Sequence, residues 1–219
     1  MPVTINGDGS ITGLSVGGLP NGTVDADTLA SNAVTSGKLA SNAVTTAKIA
    51  NSAVTADKAS GTAKGLTMVD HWRKDSQVTG NQSPITGWER VDTHFSLQGS
   101  TGMTESSGVW TFPESGLYLV TYVAHGYLNG TTSYIGLYFF YSTDGGSSYN
   151  SDSLGHAYCG AAGSGYNGGM NQHVINVTDA STFRFRIYYT SSNSSSCILQ
   201  GHSSRTLTGI TFIRLGDAG

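Results

Sequence analysis

The sequence predicts an all-β protein in two unlike parts, a repetitive N-terminal segment of ten-residue rungs and a C-terminal antiparallel sandwich. Three observations carry this. The 3 Trp, 11 Tyr and 7 Phe all lie between Trp72 and Phe212, leaving the first 71 residues without an aromatic side chain. Within those residues, large apolar side chains recur every five positions. From Thr67 onward, short β-rich runs are separated by Gly, Ser and Asn at sandwich spacing.

Composition narrows the function classes first. Lys+Arg total 11 against Asp+Glu 14, a formal net charge of −3, with a pI near 6.0. Such a chain lacks the basic field of a nucleic-acid binder. Charged residues make up 11%, where globular domains carry roughly 25%. The difference is filled by 30 Gly and by 55 Ser and Thr, a polar surface built without charge. With 4 Pro and no Gly-x-y period, collagen is excluded, and no apolar run is long enough for a membrane helix. Met1 to Ser10 lacks the basic and apolar regions of a secretory signal, so none is expected.

Residues 1–23 read as an anchoring segment. Val3-Thr4-Ile5 and Ser10-Ile11-Thr12 flank the turn-rich Asn6-Gly7-Asp8-Gly9, which predicts a small hairpin. Val3, Ile5, Ile11, Leu14, Val16 and Leu19 are isolated apolar residues in a Gly-rich stretch, suited to lying along another protein's surface. The plainer alternative is a frayed terminus.

Residues 24–66 are the repeat. Thr28-Leu29-Ala30-Ser31-Asn32-Ala33-Val34-Thr35 returns as Lys38-Leu39-Ala40-Ser41-Asn42-Ala43-Val44-Thr45 and as Lys48-Ile49-Ala50-Asn51-Ser52-Ala53-Val54-Thr55. Val24, Leu29, Val34, Leu39, Val44, Ile49 and Val54 form the five-residue series. On a helix a step of five turns about 140° and makes no stripe. On one strand an odd step alternates faces, and a heptad seam needs spacings of three and four. The remaining solution is a rung in which an extended Asn-Ala-Val stretch precedes a Thr capping one helical turn (35–38, 45–48, 55–58). A core one residue wide is stable only against copies of itself, so Val and Leu/Ile are expected to face a shared axis in a self-associated stalk. The alternative is a disordered Ala/Ser/Thr linker, against which the strict spacing argues.

Residues 67–219 are the aromatic-bearing domain. Strands are predicted at 67–74, 90–97, 108–112, 117–125, 133–142, 171–177, 182–190, 197–200 and 206–215, with no helix of amphipathic length. Phe183, Phe185, Ile187 and Tyr189 alternate with Arg184, Arg186 and Tyr188, which predicts one buried and one outer face. Tyr138-Phe139-Phe140-Tyr141 is apolar on both faces, as in a central strand or a subunit contact.

The stretch from Gly108-Val109-Trp110-Thr111-Phe112-Pro113 to Gly116-Leu117-Tyr118-Leu119-Val120-Thr121-Tyr122 resembles the Gly-x-aromatic-x-aromatic-Pro…Gly-x-Tyr signature of C1q/TNF-like jelly rolls. Val120 stands where that family usually has an aromatic. Thr208-Gly209-Ile210-Thr211-Phe212-Ile213 is similar to its last strand. The resemblance implies a ten-stranded jelly roll forming a tight homotrimer about a threefold axis. The Asn-Ala-Val-Thr-x-x-Lys-Leu/Ile-Ala rungs, in turn, resemble repeats of bacteriophage tail fibres and related virion proteins. Both halves thus ask for self-association, and a trimer satisfies both.

No motif for catalysis stands out. Gly163-Ser164-Gly165-Tyr166-Asn167-Gly168 matches a dinucleotide fingerprint by letters but precedes a predicted strand, so no nucleotide is expected. The six His lack metal-ligand spacing, and no catalytic residue, metal or cofactor is assigned. Cys159 and Cys197 are expected to be free, buried thiols. The predicted loops 125–132, 144–152 and 158–171 are rich in Tyr, Ser, Gly and Asn. Tyr127, Asn129, Tyr149, Tyr158, Tyr166, Asn167 and Asn171 are the candidate receptor-binding residues, because rigid aromatics beside small amides suit paratopes and uncharged glycans. Such loops also simply connect strands.

The expected protein is a non-enzymatic phage virion component: a trimeric fibre of head or tail, exposed on the virion surface after assembly in the host cytoplasm. Its partners would be itself, capsid or tail proteins through the N-terminus, and host surface polysaccharide through the knob. A capsid decoration or cement protein is the alternative, and a bacterial surface or matrix C1q-like protein a remoter one.

Overall fold

The structure, a computed structural model, describes residues 4–7, 11–12, 29–51, 53–55, 58, 66–99, 101–128, 134–158, 165–192, 195 and 197–219, with the side chains of 5, 11, 12 and 152–158 excepted. Backbone contacts divide the chain into two units, Met1–Val54 and Thr55–Gly219.

In the first unit, strands β1 (Thr4–Ile5) and β2 (Ile11–Thr12) pair antiparallel, Thr4 with Thr12 and Ile5 with Ile11, which is the predicted hairpin. Val3, Leu14, Val16, Leu19 and Val24 lie outside the described residues, and Ile5 and Ile11 are described by backbone alone.

Each rung of the repeat is made of two tight turns. The Ala33 amide donates to the Ala30 carbonyl at 2.9 Å, and Ala43 to Ala40 and Ala53 to Ala50 at 3.0 Å. Asn32 and Asn42 take the left-handed position of this turn, with φ of 62° and 63°. Asn is among the few side-chain-bearing residues that adopt it readily. The second turn is a single 3-10 turn, Ser36–Lys38 and then Thr46–Lys48, in which the Lys38 and Lys48 amides donate to Thr35 and Thr45 at 2.9 Å. Lys38 and Lys48 fold their ammonium groups back onto the carbonyls of Ala33 and Ala43, at 2.8 and 2.9 Å. Two expectations change here. Asn sits in a turn rather than an extended stretch, and Thr35 and Thr45 precede their helical turns in extended conformation without a side-chain capping bond. The helical turn itself is where the sequence put it.

In the second unit, strands β3 (Met68–Lys74), β4 (Ser76–Thr79), β5 (Trp88–Arg90), β6 (Thr104–Ser106), β7 (Val109–Thr111), β8 (Gly116–Leu128), β9 (Tyr134–Ser142), β10 (Asn150–Tyr158), β11 (Gly165–Val177), β12 (Arg184–Ser191), β13 (Cys197–His202) and β14 (Gly209–Gly216) form two antiparallel sheets. The five-stranded sheet has the order β10-β9-β12-β7-β6. In the seven-stranded sheet, β8 pairs with β11 along its whole length. On its other side β8 takes β14 over Leu117–Val123 and β13 over Gly126–Leu128. β14 continues to β3 and β5, and β13 to β4. The described strands of this unit thus number twelve, two more than the resemblance implies.

The motif residues build the interior. Ser107 and Gly108 both have positive φ, 53° and 82°, the geometry of a two-residue hairpin turn joining β6 and β7. A side chain at Gly108 would also strike the Ile85 carbonyl at 2.6 Å. Trp110 is fully buried and packs against Trp72 and Phe212, both at 5.0 Å between ring centroids. Phe112 meets Tyr118 edge-on at 4.7 Å. Tyr118, Val120 and Tyr122 point inward along β8 and are fully buried, so Val120 fills the position usually aromatic. From the facing sheet, Phe183, Phe185, Ile187 and Tyr189 point inward as the alternation predicts. Burial without a compensating partner pushes the Tyr122 hydroxyl well above its ordinary value.

Buried charges are paired. Asp70, fully buried on β3, accepts from Arg90 Nε and Nη2 at 2.9 and 3.0 Å and from the Met103 amide at 2.8 Å. Arg73 reaches Glu89 at 2.8 Å and Asp92 at 2.7 Å. These ties explain why 90–97 is not the predicted strand. The ladder to β3 ends at Arg90, Asp92 turns to Arg73, and His94 adopts φ 59°.

Trp110→Ala is expected to cost about 3–5 kcal/mol, because its indole reaches from the five-stranded sheet to Trp72, Trp88 and Phe212 of the seven-stranded one. A denaturant midpoint unchanged from wild type would contradict this packing.

Candidate functional site

In the second unit, the outer face of the seven-stranded sheet carries its apolar surface in rows set by strand register. Val69, Ile213, Leu119 and Val174 lie side by side across β3, β14, β8 and β11. The next row is polar: His71, Thr211, Thr121 and Gln172. Its members bond laterally, His71 Nδ1 to Thr211 Oγ1 at 2.8 Å and Gln172 Nε2 donating to Thr121 Oγ1 at 2.9 Å. Burial pushes the His71 imidazole below its ordinary value, favouring the neutral form in that bond. Beyond it, Val123 faces Met170 and Tyr127 faces Tyr166. Tyr166 stacks on His125 at 5.4 Å and meets Tyr127 edge-on at 5.0 Å.

This face leaves large apolar groups in water: Tyr166 is 71% exposed, Met170 62%, Val174 47% and Val123 43%. Because its polar row is satisfied within the sheet, covering the face would leave few polar groups stranded.

The five-stranded sheet's outer face differs. Phe140 packs on Tyr188 at 4.2 Å and on Tyr138 at 6.2 Å. The Arg186 guanidinium lies 3.2 Å over the Tyr149 ring and 5.6 Å from Tyr188. These half-buried groups cover one another. Tyr149 is delivered by the turn after β9, where Asp144 accepts from Ser142 Oγ and Ser148 Oγ at 2.6 Å and from the Ser148 amide at 3.0 Å. Those donors hold the Asp144 carboxyl far below the usual carboxylate range.

The sequence-predicted receptor residues are therefore split. Tyr127, Tyr166, Asn167 and Asn171 lie in β8 and β11 rather than in loops. Asn171 is buried and donates to the Leu137 carbonyl at 3.0 Å, tying the two sheets together. Asn167 accepts from the Gly168 amide at 2.7 Å. Tyr149 sits on the opposite sheet, Tyr158 ends β10 and is described by backbone alone, and Asn129 lies outside the described residues. The nucleotide-like run continues from Gly165 as strand β11, not as a helix. Cys197 is free and buried, while Cys159 lies outside the described residues. Val123, Met170 and Val174 were not singled out from sequence. The signal was present at even spacing in Tyr166, Met170 and Val174, but interspersed Gly and Asn disguised it.

No family model matches the sequence, and neither does any curated protein. Among solved structures, an Eiger TNF from S. frugiperda is similar with a TM-score of 0.53 at 12% identity, over 69% of this chain and 94% of that one. Murine APRIL at pH 8.5 and at pH 5.0 gives TM-scores of 0.47 and 0.48 at 13% identity, over 67% of this chain and 98% of theirs. The domain is a TNF/C1q-like jelly roll. At 12% identity the Eiger likeness speaks to fold alone.

Met170→Lys places a charge at the centre of the exposed apolar face. It is expected to lower the mass seen by light scattering while shifting the unfolding free energy of the jelly roll by only about 0.5 kcal/mol. An unchanged mass would show that this face is not covered by another copy.

Proposed function

We propose that this chain is a non-enzymatic structural protein of a phage virion: a homotrimeric fibre attached through residues 1–23, with a stalk leading to a knob that engages the host surface. The observation that carries the self-association is in the repeat. Leu29, Val34, Leu39, Val44, Ile49 and Val54 are all between 41% and 59% exposed. No described residue of the rungs is buried. Such regular exposure fits side chains facing a common axis in which each chain supplies part of a shared core. The apolar face of the knob asks for the same kind of cover, and the TNF/C1q-like fold supports a trimer over other closed assemblies. The phage assignment rests on the likeness of the rungs to virion fibre repeats. The neutral, hydroxyl-rich surface supports uncharged host polysaccharide as the knob's partner.

Leu39→Asp with Val44→Asp is expected to dissociate the stalk and leave the knob folded, read by sedimentation together with near-ultraviolet circular dichroism. Virions carrying a chain truncated after Leu66 should lose host adsorption. Normal adsorption by fragile particles would replace the adhesin with a cement protein.

A further inference from the structure

We propose that the knob binds one neutral sugar ring in a cleft at the edge of the sandwich, away from the Tyr-rich segments that sequence composition highlights. The inference deepens the host-surface reading, and rests on it, by naming the ligand class and its place. The cleft has a volume of about 240 Å³ and is lined by Tyr141, Thr143, His173, Val174, Ile175, Asn176, Thr178 and Phe183. Sites for larger organic ligands span roughly 300–1,000 Å³, so this one suits a single ring.

Its chemistry selects the ligand. Tyr141 and Phe183 lie nearly parallel, 11° apart with centroids at 5.9 Å, and form an aromatic wall. The negative face of such a ring attracts the weakly positive C–H face of a pyranose. Around the wall stand the hydroxyls of Thr143 and Thr178, the His173 imidazole and the Asn176 amide, which can each donate or accept. Asn176 is oriented at the rim by the Gly219 backbone, donating to its carbonyl at 3.4 Å and accepting its amide at 3.3 Å. The described lining contains no Asp, Glu, Lys or Arg. A charged ligand would lose hydration there without a counter-charge, whereas a neutral polyol exchanges water hydrogen bonds for equivalent ones. Val174 belongs both to the cleft rim and to the exposed apolar rows, so the informative substitutions lie on the far side, at Tyr141 and Thr143.

The test uses the full-length protein and ligand-observed saturation-transfer NMR with the methyl glycosides of glucose, galactose, mannose and N-acetylglucosamine, and glucuronate as the charged control. At least one neutral glycoside should receive saturation, most strongly on its C–H face. Thr143→Trp, which fills the cleft and removes the Thr143 hydroxyl, should weaken that binding about tenfold or more. Tyr141→Phe keeps the ring and should retain binding, whereas Tyr141→Ala should lose it. The proposal is overturned if no neutral glycoside binds, if Thr143→Trp binds as wild type does, or if glucuronate is preferred. Virion adsorption separates the two levels. Full adsorption by Thr143→Trp particles, with none by truncated ones, removes the cleft but keeps the adhesin. Normal adsorption by truncated particles removes the adhesin itself.

Discussion

A rung built from two tight turns has no interior, and this constraint governs the N-terminal repeat. The Ala-to-Ala turn with a left-handed Asn and the 3-10 turn ending in Lys together consume eight of the ten residues. What they leave is a Leu/Ile and a Val on each rung, with about half of each side chain in water. Burying such a side chain is worth roughly 1.5–3 kcal/mol, which a single copy of the rung cannot collect. The local turns of the rungs are thus satisfied within one chain, whereas their apolar side chains stay about half exposed in it.

The jelly roll meets the opposite situation on its inside and a similar one on its outside. Trp110, Phe112, Tyr118, Phe139, Phe185 and Phe212 fill the space between the sheets and give this half a self-sufficient core. The long strand β8 carries both faces of the argument. Tyr118, Val120 and Tyr122 point into that core, while Leu119 and Val123 contribute to the uncovered rows. Period-two alternation makes the two sets inseparable, since any slip of register would exchange them.

Legibility from sequence followed the strength of local signals. The Gly108-to-Tyr122 motif and the alternation from Phe183 to Tyr189 were readable because large side chains mark every second position. The position of the helical turn was readable from the Thr-x-x-Lys spacing, but the left-handed Asn was not, since the same Asn-Ala-Val letters also suit a strand. β10 and the first half of β11 were hidden because Asn, Ser and Gly populate them, residues that usually signal loops. That concealment also misplaced the candidate binding residues: Tyr166 and Asn171 share one strand, yet one is the most exposed aromatic of the face and the other is buried between the sheets. The cleft beside Tyr141 and Phe183 joins residues far apart in the chain, which no spacing rule could have brought together.

Sedimentation equilibrium of the intact chain tests the central claim most directly. The account predicts a single species of three times the 22.8 kDa chain mass, persisting on dilution through the micromolar range. A stable monomer of 22.8 kDa would contradict it, because the apolar series of the rungs would then have no second chain to meet.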